Sequence, residues 1–343
     1  MSVHLKVPTK VTLFGEHAVV YGIPAIATTI PVYIKIIGSK THEETIQIRL
    51  EQGLKLPVYS ISMKRNGTII DLHPDYSYIK KLFNYILTAL NICEEKLNIM
   101  KRNHGYSIII DSPLPIGVGL GTSAAISVGM ITLCTLLNNY MKDIDDYRHE
   151  IAKMAWNVEK IVQGSASPMD TFTIALGGLR YIEPTGPTAY LINIDYKLPI
   201  LIGYTDKKGT TSELIQRVRT LKTKSERIFN DLLSIIREIV EEARNALINQ
   251  DLEKLGMLMN INHGILKALN VVNLEHDIIV HTLKNAGALG AKTSGAGNGG
   301  AFIALAQSEK HLERLTAIAE ALGAKIVSKS IHYEGVMVID IVK

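Results

Sequence analysis

Cysteine is nearly absent from this chain: 343 residues hold two, Cys93 and Cys134. They lie far apart in different contexts, so they offer neither a disulfide framework nor a metal-ligand spacing. That usage suits a reducing interior. His276 and His281 are five positions apart and do not align on one helix face, so no zinc site is expected there. Aromatic residues make up 6% of the chain, with one Trp, and the net charge is only +4. This excludes a nucleic-acid partner of the usual basic and aromatic kind. The mild positive balance instead favours a small anionic ligand. Charge is missing altogether between residues 112 and 141. A membrane span is still not expected, because Pro113, Pro115, Gly117, Gly119 and Gly121 break the first half. The apolar remainder, Ala124 to Leu137, falls short of the roughly 20 residues a bilayer needs. No signal-peptide pattern opens the chain, no solenoid repeat runs through it, and a cytoplasmic location is expected.

What is present is a chain with 47% hydrophobic and 20% charged residues, long enough for two domains. Strand-like runs cover Leu5 to Val7, Val11 to Phe14, Ile26 to Ile37, Glu43 to Leu50 and Val58 to Met63. Apolar residues at helical spacing predict a helix over Tyr78 to Leu90. A strand, Tyr106 to Ile110, feeds a glycine loop, then helices from Thr122 to Asn138 and from Asp145 to Val162. Gly177-Gly178 and the Glu183 to Pro187 cluster mark a break, so the domains are set at 1–182 and 183–343. The second half reads as strands over Leu191 to Ile194 and Ile200 to Tyr204, and a long charged helical region from Ser212 to Asn249. Its charges alternate in sign, as solvated helix faces do. Helices Leu252 to Leu269 and Asp277 to Ala286, a strand Ala301 to Ala306, a helix Lys310 to Leu322, and strands Ala324 to Lys329 and Val336 to Ile341 complete an α+β pattern.

Three glycine-rich segments carry the chemistry. The first runs from Pro8 to Gly22 and contains Lys10 and Gly15-Glu16-His17-Ala18-Val19-Val20. The second is Pro113-Leu114-Pro115-Ile116-Gly117-Val118-Gly119-Leu120-Gly121-Thr122-Ser123-Ala124-Ala125. The third is Lys292 to Gly300. Glycine lets successive amides turn toward a ligand, and a helix N-terminus behind such a loop favours an anion. The second segment is therefore a phosphate cradle formed by Pro115, Gly117, Gly119, Leu120, Gly121, Thr122 and Ser123. It is not a P-loop, because no Lys follows its last glycine.

Taken in order, the three segments resemble the superfamily of galactokinase, homoserine kinase, mevalonate kinase and phosphomevalonate kinase. The first is similar to that of the mevalonate kinase branch, where galactokinases place Thr-Asp-Tyr after the Glu-His pair. The resemblance spans Lys10 to Gly300. It implies a ribosomal S5 domain 2-like N-terminal domain, a ferredoxin-like C-terminal domain, and ATP-dependent phosphorylation of mevalonate in isoprenoid synthesis. It further implies Mg2+ held by Ser123 and Glu159, and Asp170 as the base that takes the substrate hydroxyl proton. Lys10 would keep that carboxylate ionised. Glu16, His17, Thr211 and Ala296 would line the substrate pocket. Departures exist. Val7-Pro8-Thr9 replaces the usual Ala-Pro-Gly, implying a slightly different turn before Lys10. Ser167 and Pro168 reverse the usual order before Asp170. Asn298 stands where glycine or arginine is usual. Rival readings are a phosphomevalonate kinase or related small-molecule kinase, a ligand sensor without turnover, and an RNA-binding protein. The sequence leaves open whether the chain acts alone or as a homodimer.

Overall fold

The computed structural model describes residues 1–51, 60–64, 68–73, 80–99, 104–115, 117–141, 143–205, 211–297 and 299–342. Two antiparallel-rich sheets and their helices build the α+β fold. The larger sheet has the strand order β13-β1-β2-β6-β3-β4-β5. Its members are β1 (Ser2–Phe14), β2 (Ala25–Thr41), β3 (Thr45–Leu50), β4 (Ser60–Lys64), β5 (Ile69–His73), β6 (Gly105–Asp111) and β13 (Met337–Val342). A hairpin, β7 (Leu179–Glu183) and β8 (Thr188–Leu191), joins it where β7 pairs with Ala25 to Thr28 of β2. The smaller sheet runs β10-β11-β9-β12, from β9 (Ile200–Thr205), β10 (Gly290–Thr293), β11 (Gly300–Leu305) and β12 (Lys325–Ser328).

β1 is one continuous strand where the sequence predicts two runs. The reason for the split lies at Pro8/Thr9, where its register with β2 shifts. Such an irregularity bends a strand and re-aims its downstream half. Val3, Leu5 and Val7 belong to the core under the first four helices, whereas Val11 and Leu13 belong to the core shared with the C-terminal helices. Thr9, expected in a turn, is instead within β1 and donates its hydroxyl to Val32 O at 3.0 Å.

The first core is capped by α1 (Lys80–Lys96), α2 (Thr122–Leu137), α3 (Arg148–Gln163) and α4 (Met169–Leu176). α2 is hydrophobic all round and is buried along its length except at Ser123, as expected of a central core helix. α6 (Glu226–Ile248) and α7 (Leu252–Ala268) close the second core, and α5 (Thr211–Lys224) packs on α6. α8 (Leu274–Asn285) and α9 (Glu309–Ala321) pack with the smaller sheet around a third cluster. The predicted strand at Leu191 to Ile194 sits earlier, as β8, and the predicted last strand pairs with β1 rather than with its sequence neighbours. Among the described residues, no helix is long and apolar enough to cross a membrane.

One sequence expectation fails outright. Cys93 of α1 and Cys134 of α2 form a disulfide across the helix pair, with Cα atoms 6.4 Å apart and a sequence separation of 41. Sequence separation could not show that the two helices pack side by side. Closing a loop of that length restricts the unfolded chain by about 4 kcal/mol in the chain-entropy account. Denaturant unfolding with and without a thiol reductant should therefore show reduced protein losing stability on that scale. Superimposable curves would show that the bond contributes nothing.

Candidate active site

Lys10 lies on β1 just beyond the register shift, and its backbone N–H donates to Leu120 O at 3.0 Å. This bond seats the second glycine segment on the strand. A Cβ at Gly121 would fall 2.8 Å from Lys10 Cγ, so only glycine lets the loop pass this close. The third segment braces the second by backbone contact: a Cβ at Gly295 would meet Gly119 O at 2.9 Å. The amides of Gly117 to Gly121 thus precede α2, whose N-terminal half carries the half-exposed Ser123. That arrangement suits an anion.

Lys10 Nζ is 2.9 Å from Asp170 Oδ1, with the lysine buried and the aspartate 31% exposed. The contact is ionic rather than an aligned hydrogen bond, since Oδ1 has no aligned donor. Nζ also donates to Thr12 Oγ1 at 3.0 Å. Thr12 stands two residues along the strand from Lys10, hence on the same face. Thr12 is in turn held by Ser294 of the third segment, which donates to Thr12 O at 2.8 Å and accepts from Thr12 N at 3.1 Å. Asp170 sits in the first turn of the short helix α4. Trp156 Nε1–H donates to Ala166 O at 2.8 Å and pins the approach to that helix. Arg148 donates to Ala175 O at 2.7 Å and to Val336 O at 2.9 Å, satisfying a carbonyl at the far end of α4.

Glu159 of α3 is 5% exposed and faces the same region. Burial, and then the negative charge of Asp170, push its carboxyl up to about 8. Ser127 Oγ donates to Glu159 Oε1 at 3.4 Å and to Ser123 O at 3.0 Å, and Gln163 Nε2–H donates to Glu159 Oε2. Two carboxyl groups converging beside a hydroxyl form a hard-oxygen donor set that a small divalent cation would relieve. Magnesium keeps several waters and needs few protein ligands, so Ser123 and Glu159 fit it. Among the described residues, no group of three or more His, Cys, Asp or Glu is arranged around a metal position.

On the other side, Glu16 and Lys292 form a fully buried ion pair between the first and third segments. Burial pushes the Glu16 carboxyl up and the Lys292 ammonium down, and each partner opposes the shift of the other. Glu16 Oε2 is buried with no hydrogen-bond partner. His17, held at φ 59°, places Nε2 3.0 Å from Ala296 O. The structure therefore brings together Lys10, Asp170, the second loop, Ser123 and Glu159. It also brings Glu16, His17 and Ala296 together across the two halves of the chain. Thr211 opens α5, but its side chain lies outside the described residues, as do Thr210 and Asn298.

Sequence reasoning missed Thr12, Ser294, Lys292 and Gln163. The alternation along β1 would have found Thr12. Lys292 and Ser294 lie inside the third segment, where the sequence pointed to the glycines, Ala296 and Asn298.

Two further histidines stand behind that segment. Thr293 N donates to His263 Nδ1 at 3.3 Å, so His263 Nε2 carries the proton facing Asp277 Oδ1 at 3.0 Å. His276 Nδ1 is 3.1 Å from Thr293 Oγ1, and burial lowers this histidine to about 4, with His263 reinforcing and Asp277 opposing the shift. Between about 4 and the ordinary value near 6.5 the unfolded chain binds a proton that folded His276 refuses. Its contribution to stability is therefore complete above that window and is lost as pH falls through it. Stability of the wild type should thus fall more steeply than that of His276→Gln between pH 6.5 and 4, by a few kcal/mol at most. Parallel stability curves for the two proteins would refute this.

The family model described as GHMP kinases N terminal domain matches residues 84–178, and the GHMP kinases C terminal model matches residues 236–325. The chain belongs to the GHMP kinases. Among relatives, it is 36% identical to the mevalonate kinase of Saccharolobus solfataricus over 98% of this chain and 99% of that one. The crystal structure of the Methanococcus jannaschii mevalonate kinase superimposes with a TM-score of 0.75 at 31% identity, covering 96% of this chain and 98% of that one. The L. major mevalonate kinase in complex with R-mevalonate superimposes with a TM-score of 0.77 at 25% identity, covering 96% of each chain.

Proposed function

We propose that this chain transfers the terminal phosphoryl group of ATP to the 5-hydroxyl of mevalonate, releasing 5-phosphomevalonate and ADP. One observation carries the chemistry: the Lys10–Asp170 contact of 2.9 Å beside the loop that opens α2. Asp170 accepts the hydroxyl proton as the new O–P bond forms and the bond to the ADP oxygen breaks. Lys10 stabilises the negative charge that develops on the attacking oxygen. Backbone amides from Gly117 to Ser123 hold the nucleotide phosphates. Ser123 and Glu159 would hold magnesium, which when bound neutralises charge on the phosphate oxygens. Glu16, His17, Thr211 and Ala296 bind the acceptor. The contact of His17 Nε2 with Ala296 O, beside the buried Glu16–Lys292 pair, supports this by bringing the first and third segments together.

The same geometry weighs against a phosphorylated acceptor. Such a substrate requires spare cations, and among the described residues the two buried lysines, Lys10 and Lys292, are each paired with a carboxylate. The test is ADP release with ATP and magnesium, offered mevalonate, phosphomevalonate, galactose or homoserine in turn. Turnover with mevalonate alone is expected. Turnover of another acceptor in its place would overturn the substrate and keep the kinase. Nucleotide binding with no turnover of any acceptor would leave a ligand sensor.

A further inference from the structure

β10 stands at the edge of the smaller sheet, with β11 as its neighbour. Its outer side carries backbone groups that need partners of their own. Side chains of α7 supply them. Asn260 Oδ1 accepts from Ala291 N at 3.2 Å, and Asn260 Nδ2–H donates to Leu289 O at 3.1 Å. His263 Nδ1 accepts from Thr293 N at 3.3 Å. The two residues are three apart, so one face of α7 stands in for a further strand. The helix comes this close because glycine meets glycine: a Cβ at Gly290 would fall 2.3 Å from Gly256 O.

Thr293 is flanked by the two residues that tie the third segment to the first. Lys292 pairs with Glu16, and Ser294 holds the backbone of Thr12, whose hydroxyl accepts from Lys10 Nζ. His263 can accept from Thr293 N only while Nδ1 is bare. Asp277 secures this: Oδ1 takes the proton on Nε2 at 3.0 Å, and Lys267 Nζ donates to Oδ2 at 2.6 Å. The hydrogen bond at one ring nitrogen thus sets the state of the other.

We propose that His263 is a positioning residue for the acceptor pocket, fixing Lys292 against Glu16 through Thr293, with Asp277 holding the tautomer that this requires. The inference rests on the pocket role given above to Glu16, His17 and Ala296. Thr293 is fully buried, so without His263 its N–H would be left unpaired. β10 relieves that cost by shifting, and Lys292 shifts with it. The phosphate cradle is seated separately, by Lys10 N on Leu120 O. Acceptor binding therefore suffers more than nucleotide binding.

The test is the KM for mevalonate and for ATP in the full-length protein. His263→Leu removes both ring nitrogens. It should raise the mevalonate KM about 10-fold, the scale of one buried donor left unpaired, with the ATP KM little changed. His263→Gln offers an amide oxygen to Thr293 N and an amide N–H to Asp277, and should recover most of the loss. Asp277→Ala lies at the partly exposed end of these bonds and should fold even where His263→Leu does not. It frees the tautomer and should raise the mevalonate KM roughly 3-fold. An unchanged mevalonate KM in Asp277→Ala and His263→Leu would overturn the positioning role alone. Equal rises in both KM values, or no recovery in His263→Gln, would overturn it too, leaving His263 a packing residue. A wild type that turns over no mevalonate would overturn the functional reading, and this inference with it.

Discussion

Asp170→Asn should lower kcat by about 10²–10⁴-fold, the usual worth of a positioned base. The amide has the size and shape of the carboxylate but cannot take a proton from the attacking hydroxyl. The surroundings that place it are untouched: Phe172 N still bonds Pro168 O at 3.0 Å, and Trp156 still holds Ala166 O. The phosphate cradle is made of backbone groups, so the KM for ATP should change little. Lys10 keeps Thr12 Oγ1 at 3.0 Å, so the loss of its counter-charge costs less than a buried ammonium with no acceptor would. Glu159 loses the neighbouring charge that helps to raise it, so its carboxyl should ionise at lower pH in the variant. Steady-state kinetics and a thermal melt decide the matter together. A kcat within a few-fold of wild type, in a variant that melts normally, would remove Asp170 from the reaction.

The site was legible in the sequence wherever local chemistry marks itself. Gly117, Gly119 and Gly121 could be read as an anion loop because amides and a following helix suffice for that function. Lys10, Asp170, Glu159 and Ser123 were reachable only through resemblance, since a lone carboxylate or lysine carries no signature of its own. The fold was legible in its periodic segments, as in α1. It was not legible where tertiary pairing decides the state. The Leu179–Glu183 segment reads as a break because Gly177-Gly178 precedes it, yet it becomes β7 by pairing with β2. Lys292 and Thr293 read as the start of the third glycine segment, and pairing with β11 places them in β10. The Cys93–Cys134 bond is hidden for the same reason.

The Glu16–Lys292 pair sets the second large effect. Lys292→Met should destabilise the protein by about 3–5 kcal/mol, the cost of leaving one member of a buried ion pair uncompensated. Both side chains are essentially inaccessible to water, and Glu16 already has one oxygen without a donor. Removing the ammonium leaves the carboxylate with no nearby counter-charge beyond the more distant Lys10. Glu16 then either stays charged at high cost or binds a proton, which makes the variant's stability fall as pH rises above the ordinary carboxylate range. Glu16→Gln should also destabilise, because Lys292 retains only Thr293 O at 2.8 Å and the amide oxygen. The double variant should be more stable than the sum of the two losses implies, since it removes both charges at once. Activity should behave differently. The double variant should remain slow with mevalonate, because the pair joins the first segment to the third and so holds the neighbouring His17 against Ala296 O. Denaturant unfolding of the four proteins gives the coupling, and the KM for mevalonate gives the pocket. Strictly additive stability losses would show that the two groups do not depend on one another. Full activity in the double variant would show that Glu16 plays no part in holding the substrate.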